Sequence, residues 1–360
     1  MKLEEQNVLF FVRTMGQGGT ENVVLQLCEI LNLNVNRIIV CSSGGINVKK
    51  LDSMKIKHYV IPDIVKKNPL SIIRIIAILR NIVKKENVTI IHSHHRMASF
   101  YSKIILNKQI IRVITAHNIF QDKIRLTHWG YKDSHLLAVG EDVANNLTEV
   151  YKVPPENISV ISNAVIPFDE KIEKLPIFSK ESNSILIGNI ARLSEQKGLK
   201  YFIEASGIVS KSFPNAKFFI IGEGEDEEQL KALVKKLNLE SVVSFLGFHN
   251  DIQNIISQLD FLVLSSLWEG FPLTPIEAFS VGKTVVATDI EGTREIVKNN
   301  YNGLLVPPKD SNSLARAILK LIKMNEFREK LEANSRRSYI EKYSFDFYKE
   351  QIINYYKNLN

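Results

Sequence analysis

Short apolar runs alternate with helix-period segments along nearly the whole chain, and this alternation constrains the fold more than any other feature. The strand-length runs read NVLFFVR, RIIVCS, VTIIHSH, RVITAH, HLLAVG and ISVIS in the first half, and SILIGNIAR, KFFIIGEG, VVSFLG, FLVLS, TVVAT and GLLVPP in the second. Near-continuous apolar strands are typical of parallel sheets that helices cover on both faces. Alternation carried twice along the chain predicts two α/β domains, each a Rossmann-like doubly wound parallel sheet.

The spacing of helices and one irregular segment predict the domain boundaries. Helices are predicted over 21–33, 70–85, 199–212, 227–237 and 311–324. The segment 166–183 carries two prolines and many charges without a sustained period, which is typical of a linker. We therefore predict a first domain over 1–165, a linker over 166–183 and a second domain over 184–342. The aromatic segment 343–360 is predicted to form a helix that packs back on the first domain.

Charge is distributed unevenly between the two halves. Residues 1–165 carry 21 Lys/Arg against 13 Asp/Glu, whereas residues 166–360 carry 25 against 26, so the net charge of +7 arises in the first half. A basic domain favours an anionic partner such as a phosphorylated substrate or a lipid surface. No aromatic–basic interleaving of the RNA-binding type accompanies this charge, so no nucleic-acid partner is predicted.

Several features of the chain indicate the cellular compartment in which the protein is expected. No window approaches the roughly 18 apolar residues of a membrane span, and the N-terminus is acidic before its apolar run, unlike a secretory leader. The two cysteines, Cys28 and Cys41, lack metal-ligand spacing and are predicted to be buried thiols in a reducing compartment. A cytoplasmic protein is expected, with possible peripheral contact to the inner face of the plasma membrane.

Charged groups and glycines follow consecutive strands of the second half, where open parallel sheets bind their ligands. Arg192 and Lys197 follow one predicted strand, and two positive charges there favour a diphosphate. Pro275 suits the first turn of a helix that Thr274 can cap, and free N–H groups at a helix start also favour phosphate. The carboxylates of Glu269 and Glu277 would repel phosphate and are better suited to accept hydrogen bonds from hydroxyls. A molecule with hydroxyls on both sides of a diphosphate is a nucleotide sugar.

The same stretch carries a family resemblance that extends over nearly the whole chain. Glu269 and Glu277 form an E-x7-E motif, which AFSVGKTVVATDIEG follows and which NIARLSEQKG, IGEG and FLGFHNDI precede. The chain resembles the retaining glycosyltransferases of family four, which have the GT-B fold with two domains facing across a cleft. The resemblance implies that Glu269 contacts the transferred sugar and Glu277 the ribose, while Arg192 and Lys197 hold the diphosphate and stabilise the leaving group. To the nucleotide-sugar site we also assign Gly222, Gly270, Phe271, Pro272, Leu273 and Thr274.

The glycine loop of the first half does not match a dinucleotide fingerprint. Its glycines lack the G-x-G-x-x-G spacing, and no acidic residue ends the next strand, so a dehydrogenase is disfavoured. Gly18, Gly19 and Glu21 instead match the family's GG-x-E loop, which reaches the donor. Glu21 has an alternative role as a first-turn helix charge. The first domain is, by resemblance, the acceptor side and the second the nucleotide-sugar-binding domain.

Histidines end two strands of the first half. The resemblance implies that His117 contacts the donor sugar, with a structural role as the alternative. In HSHH, alternation along a strand places only His92 and His94 on one face. No cysteine or acidic partner is nearby, so no metal site is predicted, and an acceptor or phosphate contact is a second possibility for His94. The segment 64–85 is apolar with scattered basic residues and is predicted to be a crossover helix whose basic rim could face an anionic membrane.

Taken with the resemblance, these features predict a retaining, metal-independent hexosyltransferase. It would move a hexose from a nucleotide diphosphate sugar, with a UDP-sugar favoured, to a hydroxyl of a glycan or lipid-linked acceptor. The family's common setting is bacterial cell-surface polysaccharide synthesis, in capsule, exopolysaccharide or lipopolysaccharide. No cofactor is expected. Two alternatives remain open: an epimerase or phosphorylase on the same fold, and a non-catalytic partner that binds nucleotide sugar.

Overall fold

The computed structural model describes residues 2–66, 68–105, 109–168, 175–178 and 184–359. Its internal contacts divide the chain into two compact units. The first unit consists of Met1–Asn163 together with Asp346–Asn360, and the second unit is Ala164–Phe345. The predicted linker over 166–183 lies mostly outside the described residues.

The first unit is built on a parallel sheet of seven described strands in the order β3-β2-β1-β4-β5-β6-β7. Helices connect the strands. Its elements are β1 (Asn7–Phe11), α1 (Gly19–Leu31), β2 (Arg37–Ser42), α2 (Val48–Ser53), β3 (Lys57–Val60), α3 (Pro69–Lys85), β4 (Ile90–Ser93), α4 (Arg96–Ile104), β5 (Ile111–Ala116), α5 (Ile124–Tyr131), β6 (His135–Ala138), α6 (Glu141–Glu149) and β7 (Ile158–Val160).

The second unit is built on a parallel sheet of six described strands in the order β10-β9-β8-β11-β12-β13. Its elements are β8 (Ile185–Ile190), α7 (Leu199–Ser212), β9 (Ala216–Ile221), α8 (Glu227–Lys236), β10 (Val243–Gly247), α9 (Ile252–Gln258), β11 (Phe261–Leu264), α10 (Thr274–Ser280), β12 (Val285–Thr288), α11 (Thr293–Ile296), β13 (Gly303–Val306), α12 (Ser311–Lys323) and α13 (Asn325–Ser338). A π-helical turn at Tyr339–Tyr343 precedes α14 (Phe345–Lys357).

Burial confirms that helices cover both faces of these sheets. Every residue of β11 and β12 is buried, and β1 is buried over its last four positions. The predicted pair of Rossmann-like parallel-sheet domains is therefore confirmed, and each predicted strand run overlaps an observed strand. The sequence analysis missed β3, because this edge strand reads KHYV and none of its residues is fully buried.

Helix α14 is part of the first unit, to which residues 346–360 belong. Its buried side chains are Tyr348, Ile352 and Tyr356. The hydroxyl of Tyr356 lies 2.6 Å from Nδ1 of His92, at the end of β4. The aromatic end of the chain is thus packed against His92 of β4.

The strand order predicts one edge in each unit at which a ligand would bind. In the first sheet the direction of strand order changes between β1 and β4, and in the second sheet it changes between β8 and β11. Loops diverge there in opposite directions and leave a crevice at the carboxyl ends of the strands, which is where doubly wound sheets bind ligands. In this chain the loops concerned are the glycine loop and HSHH in the first unit, and the loops after β8 and β11 in the second.

Candidate active site

An ion pair joins the two loops at the point where the second sheet reverses its strand order. Lys197 lies in a short 3₁₀ turn after β8, and Glu269 lies in the loop after β11. Lys197 Nζ is 2.5 Å from Glu269 Oε1, and the glutamate side chain is only 8 % exposed. The sequence predicts a site role for each residue, and the fold brings the two into direct contact.

Three glycines allow the loops around this pair to approach each other closely. Gly198 has φ +56°, and a Cβ there would lie 2.3 Å from the carbonyl oxygen of Ser265. Gly222 has φ +134° and would meet the carbonyl of Ala191 at 2.0 Å, and Gly292 has φ +75° and would meet the carbonyl of Gly270 at 2.2 Å. Since only glycine fits these positions without strain, the loops after β8, β9, β11 and β12 depend on them.

Polar side chains that the sequence analysis missed hold the ion pair in place. Ser266 Oγ donates to Glu269 Oε1 over 2.7 Å, and Gln196 Nε2 lies 3.4 Å from Glu269 Oε2. Ser265 Oγ donates to the carbonyl of Lys197 over 2.9 Å and accepts from Asn189 Nδ2 over 3.1 Å. Small hydroxyls and amides are common in loops, so the sequence carries no signal that separates these residues from others.

Arg192 follows β8 as predicted. Its guanidinium pairs with Glu225 and not with Glu269, the partner of Lys197. Its Nη2 lies 2.9 Å from Glu225 Oε1 in the loop after β9, and the arginine side chain is 70 % exposed. The hydrogen bond with Glu225 raises the pKa of Arg192 above its ordinary value. Arg192 and Lys197 therefore lie at the same edge of the sheet, each paired with its own glutamate.

The second glutamate of the motif lies on α10. The expectation that Thr274 caps this helix is wrong: the helix begins at Thr274, and the residue before it, Leu273, makes no side-chain cap. Glu277 lies in the first turn as predicted. It is half-buried, no described residue hydrogen-bonds its carboxylate, and burial raises its pKa to about 7. Of the other assigned residues, Gly270, Phe271 and Pro272 are buried, and Leu273 and Thr274 are half-buried.

The glycine loop of the first unit precedes α1. Gly18 is the residue before the helix and Gly19 is its first residue, and both are exposed. Glu21, in the first turn, accepts a hydrogen bond from Thr14 Oγ1 over 2.5 Å. A carboxylate thus fixes the two ends of this loop relative to each other.

The histidines at the ends of β4 and β5 form a continuous cluster, defined here as His92, His94 and His117. The rings of His92 and His94 lie with centroids 4.3 Å apart, which confirms that these two share a face of the strand. His94 Nδ1 is 3.1 Å from His117 Nε2. Burial lowers the pKa of His92 to about 3 and that of His117 to about 4. Burial also lowers the pKa of His94 well below its ordinary value, so all three rings are neutral at physiological pH. Among the described residues, no group of three or more His, Cys, Asp or Glu is placed to hold a metal ion.

Comparison with known proteins identifies the class that this fold and site define. The family model described as glycosyl transferases group 1 matches residues 170–338, and the model described as glycosyltransferase family 4 matches residues 17–167. These two matches together span most of both units. The chain therefore belongs to the family-four glycosyltransferases, the family that its sequence resembles.

Individual relatives agree with this family. A UDP-Gal:alpha-D-GlcNAc-diphosphoundecaprenol alpha-1,3-galactosyltransferase of Escherichia coli is 28 % identical over 84 % of this chain and 84 % of its own length. An uncharacterized glycosyltransferase of Methanocaldococcus jannaschii is 28 % identical over 63 % of this chain, and the match spans 60 % of that relative.

A solved structure shows the same fold. HepE of Anabaena, solved in complex with UDP and glucose, superposes with a TM-score of 0.86 at 21 % identity, over 99 % of this chain and 100 % of that one. The protein has the GT-B fold of such glycosyltransferases. None of the described helices combines the length and hydrophobicity that a bilayer crossing needs.

Proposed function

We propose that the protein is a retaining hexosyltransferase that uses a nucleotide diphosphate sugar, with UDP as the favoured nucleotide. The observation that carries the proposal is the Lys197–Glu269 ion pair at the point where the second sheet reverses its strand order. A cation beside a buried carboxylate offers one group to the diphosphate and one to the sugar within a few ångströms. Arg192, in the same loop after β8, adds a second cation for the diphosphate.

Similar proteins support the choice of donor and acceptor. The E. coli relative is named for UDP-Gal and a diphosphoundecaprenol-linked acceptor, and Anabaena HepE was solved with UDP. A relative in Staphylococcus aureus, 30 % identical over 56 % of this chain and 40 % of its own length, is a poly(ribitol-phosphate) alpha-N-acetylglucosaminyltransferase. From these we infer that this chain transfers sugar to a glycan or lipid-linked acceptor in the synthesis of cell-surface polysaccharide.

In the proposed reaction the bond between the sugar C1 and the diphosphate oxygen breaks, and its electron pair leaves with the nucleotide diphosphate. The acceptor hydroxyl oxygen then bonds to C1 on the same face, and its proton passes to the departing phosphate oxygen. Lys197 and Arg192 stabilise the negative charge that develops on the leaving group. Because fixed cations supply this stabilisation, we propose that transfer needs no metal ion. Glu277 is assigned to the ribose, and His117 to the donor sugar.

The proposal is tested by nucleotide diphosphate release from UDP-, GDP- and ADP-sugars, with and without a bacterial membrane extract, in EDTA and again with added Mg²⁺. We expect release from a UDP-sugar, increased by the extract and unchanged by EDTA. Proton NMR of the product should show that the anomeric configuration of the donor is kept. Conversion of donor without acceptor would favour an epimerase. Binding of UDP-sugar without any release would favour a non-catalytic partner.

The exposed face of α3 supports a peripheral contact with an anionic membrane. The buried face of this helix consists of Ile75, Leu79 and Ile82. On the opposite side Leu70 and Ile73 are 75 % and 65 % exposed. The exposed basic residues described on this helix and just before it are Lys66, Arg74, Arg80, Lys84 and Lys85. Apolar side chains within a basic rim are typical of surfaces that lie on anionic lipid.

This contact is tested by co-sedimentation with vesicles of phosphatidylglycerol or of phosphatidylcholine. We expect binding to the anionic vesicles only, and loss of it when Leu70→Ser and Ile73→Ser are combined. Ile340→Ser, at a 57 % exposed position of the second unit, is the matched control and should leave binding intact. If the double variant bound anionic vesicles as well as the wild type does, the exposed face of α3 would not be the membrane-contacting surface.

A further inference from the structure

His94 is a buried residue that the proposed reaction does not use. It directly follows the last residue of strand β4 and is 3 % exposed, and its ring is packed against the rings of Phe10 and His92, with centroids 5.7 Å and 4.3 Å away. These contacts fix the ring plane. Its Nδ1 lies 3.1 Å from Nε2 of His117, and its Nε2 is buried without a hydrogen-bond partner.

The unpartnered nitrogen decides where the proton of His94 lies. Burial keeps the ring neutral by lowering its pKa, so a single proton is placed on one of the two nitrogens. On Nε2 it would form a buried N–H donor with no acceptor, whereas on Nδ1 it makes a hydrogen bond to His117. Buried N–H groups without acceptors are rarer and costlier than unpaired acceptor lone pairs, so the proton lies on Nδ1.

The tautomer of His117 follows from that of His94. When Nδ1–H of His94 donates, Nε2 of His117 accepts and carries no proton. His117 is also neutral, so its proton lies on its own Nδ1. That nitrogen has no partner among the described residues, and the side chain is only half-buried, so its N–H remains available to a ligand.

We propose that His94 is a positioning residue, which holds His117 in the Nδ1–H tautomer and so makes it a hydrogen-bond donor to an oxygen of the donor sugar. The assignment of a sugar to His117 rests on the proposed function, but the tautomer does not. In water the Nε2–H form of a histidine is the favoured one, so without His94 the ring would present a lone pair at Nδ1. A histidine held in the wrong tautomer can lose most of its catalytic contribution.

The test uses full-length protein labelled with ¹⁵N-histidine, and long-range ¹H–¹⁵N correlation at pH 7.5 without any ligand. His117→Gln identifies the signals of His117 by their disappearance. His94→Asn keeps a donor near the position of Nδ1, and His94→Leu, which has a similar shape, removes it. We expect the Nδ1–H tautomer in the wild type and in His94→Asn, and a shift to the Nε2–H tautomer in His94→Leu.

Kinetics provide the second measurement. Because the hydrogen bond acts on the reacting sugar, we expect His94→Leu to lower kcat by about 10- to 100-fold, with a much smaller change in the KM for donor, and His94→Asn to restore most of it. An Nε2–H tautomer in the wild type, or an unchanged tautomer in His94→Leu, would overturn the inference. If His94→Leu fails to fold, the wild-type tautomer alone decides. An Nδ1–H wild type that transfers no sugar would refute the proposed function while leaving the role of His94 in place.

Discussion

Lys197 Nζ and Glu269 Oε1 lie 2.5 Å apart, although they are separated by 72 positions in sequence. The pair lies where β8 and β11 are neighbours in the sheet and their loops diverge. In the absence of donor the carboxylate neutralises the lysine. A diphosphate therefore has to compete with Glu269 for this cation. Replacing Lys197 should weaken UDP binding, whereas replacing Glu269 should leave it unchanged or strengthen it.

Replacing Lys197 by alanine should abolish most of the transfer. The cation that stabilises the departing diphosphate is lost, and we expect kcat to fall by about 100-fold or more, together with weaker binding of UDP. Turnover and calorimetric UDP binding measure the two effects. Lys200→Ala, at an exposed position three residues further on, is the control and should leave both unchanged. Near-normal turnover of Lys197→Ala would refute its assignment to the leaving group.

Replacing Glu269 by glutamine should separate binding from transfer. The amide still accepts from Ser266 but no longer neutralises Lys197, so the lysine is released for the diphosphate. We expect UDP to bind as tightly as in the wild type or up to about tenfold more tightly, since one charge competitor is gone. Transfer should fall sharply because the carboxylate assigned to the sugar is lost. Weaker UDP binding in Glu269→Gln would contradict the competition between carboxylate and phosphate.

Replacing Gly198 by alanine should disturb both stability and transfer. The position has φ +56°, and the new Cβ would lie 2.3 Å from the carbonyl oxygen of Ser265. Gly282→Ala is a matched control, because its φ is +72° but nothing lies within 4 Å of the new atom. We expect Gly282→Ala to cost about 1–2 kcal/mol of unfolding free energy from backbone strain alone, and Gly198→Ala to cost clearly more. Only Gly198→Ala should also lose transfer. Equal effects of both substitutions would mean that the close approach is unimportant.

Replacing Glu277 by glutamine should change how stability depends on pH. Burial raises the pKa of Glu277 to about 7, above the ordinary value of 4.5 that applies to the unfolded chain. Between these values the folded chain keeps a proton that the unfolded chain has lost, so the stability due to this group falls as pH rises to about 7 and is constant above. The advantage of Glu277→Gln over the wild type should therefore grow between pH 5 and pH 8, by on the order of 1–3 kcal/mol.

Chemical denaturation at the two pH values measures this difference. The same substitution at the exposed Glu240 is the control. A stability difference between wild type and Glu277→Gln that stays constant from pH 5 to pH 8 would show that the carboxyl of Glu277 ionises as an ordinary one.

Replacing Tyr356 by phenylalanine should weaken the attachment of α14 to the rest of the first unit. The hydroxyl lies 2.6 Å from Nδ1 of His92, and its removal leaves a buried nitrogen without a partner. We expect a loss of about 1–3 kcal/mol in unfolding free energy. Tyr355→Phe is the control, because the hydroxyl of Tyr355 is buried and has no hydrogen-bond partner. That substitution should be neutral or stabilising, and a larger loss there than at Tyr356 would contradict the role of the His92 contact.

The sequence predicted the fold class because buried parallel strands leave an unmistakable pattern. Runs such as FLVLS and TVVAT are apolar at every core position, and the observed β11 and β12 are fully buried. The pattern failed at β3, where an edge strand buries too little to need apolar residues. It also failed at the start of α10, because the identity of a cap depends on backbone geometry one residue to either side.

For the candidate site, the sequence by itself determined which residue types stand at the strand ends. Glu269, Glu277, Arg192 and Lys197 could be found there because ligand sites of doubly wound sheets follow their strands. Only the tertiary structure decided the pairing: Lys197 with Glu269, Arg192 with Glu225, and His94 with His117. Strand order and the close approach of loops at glycines set these contacts, and both result from packing between residues far apart in the chain.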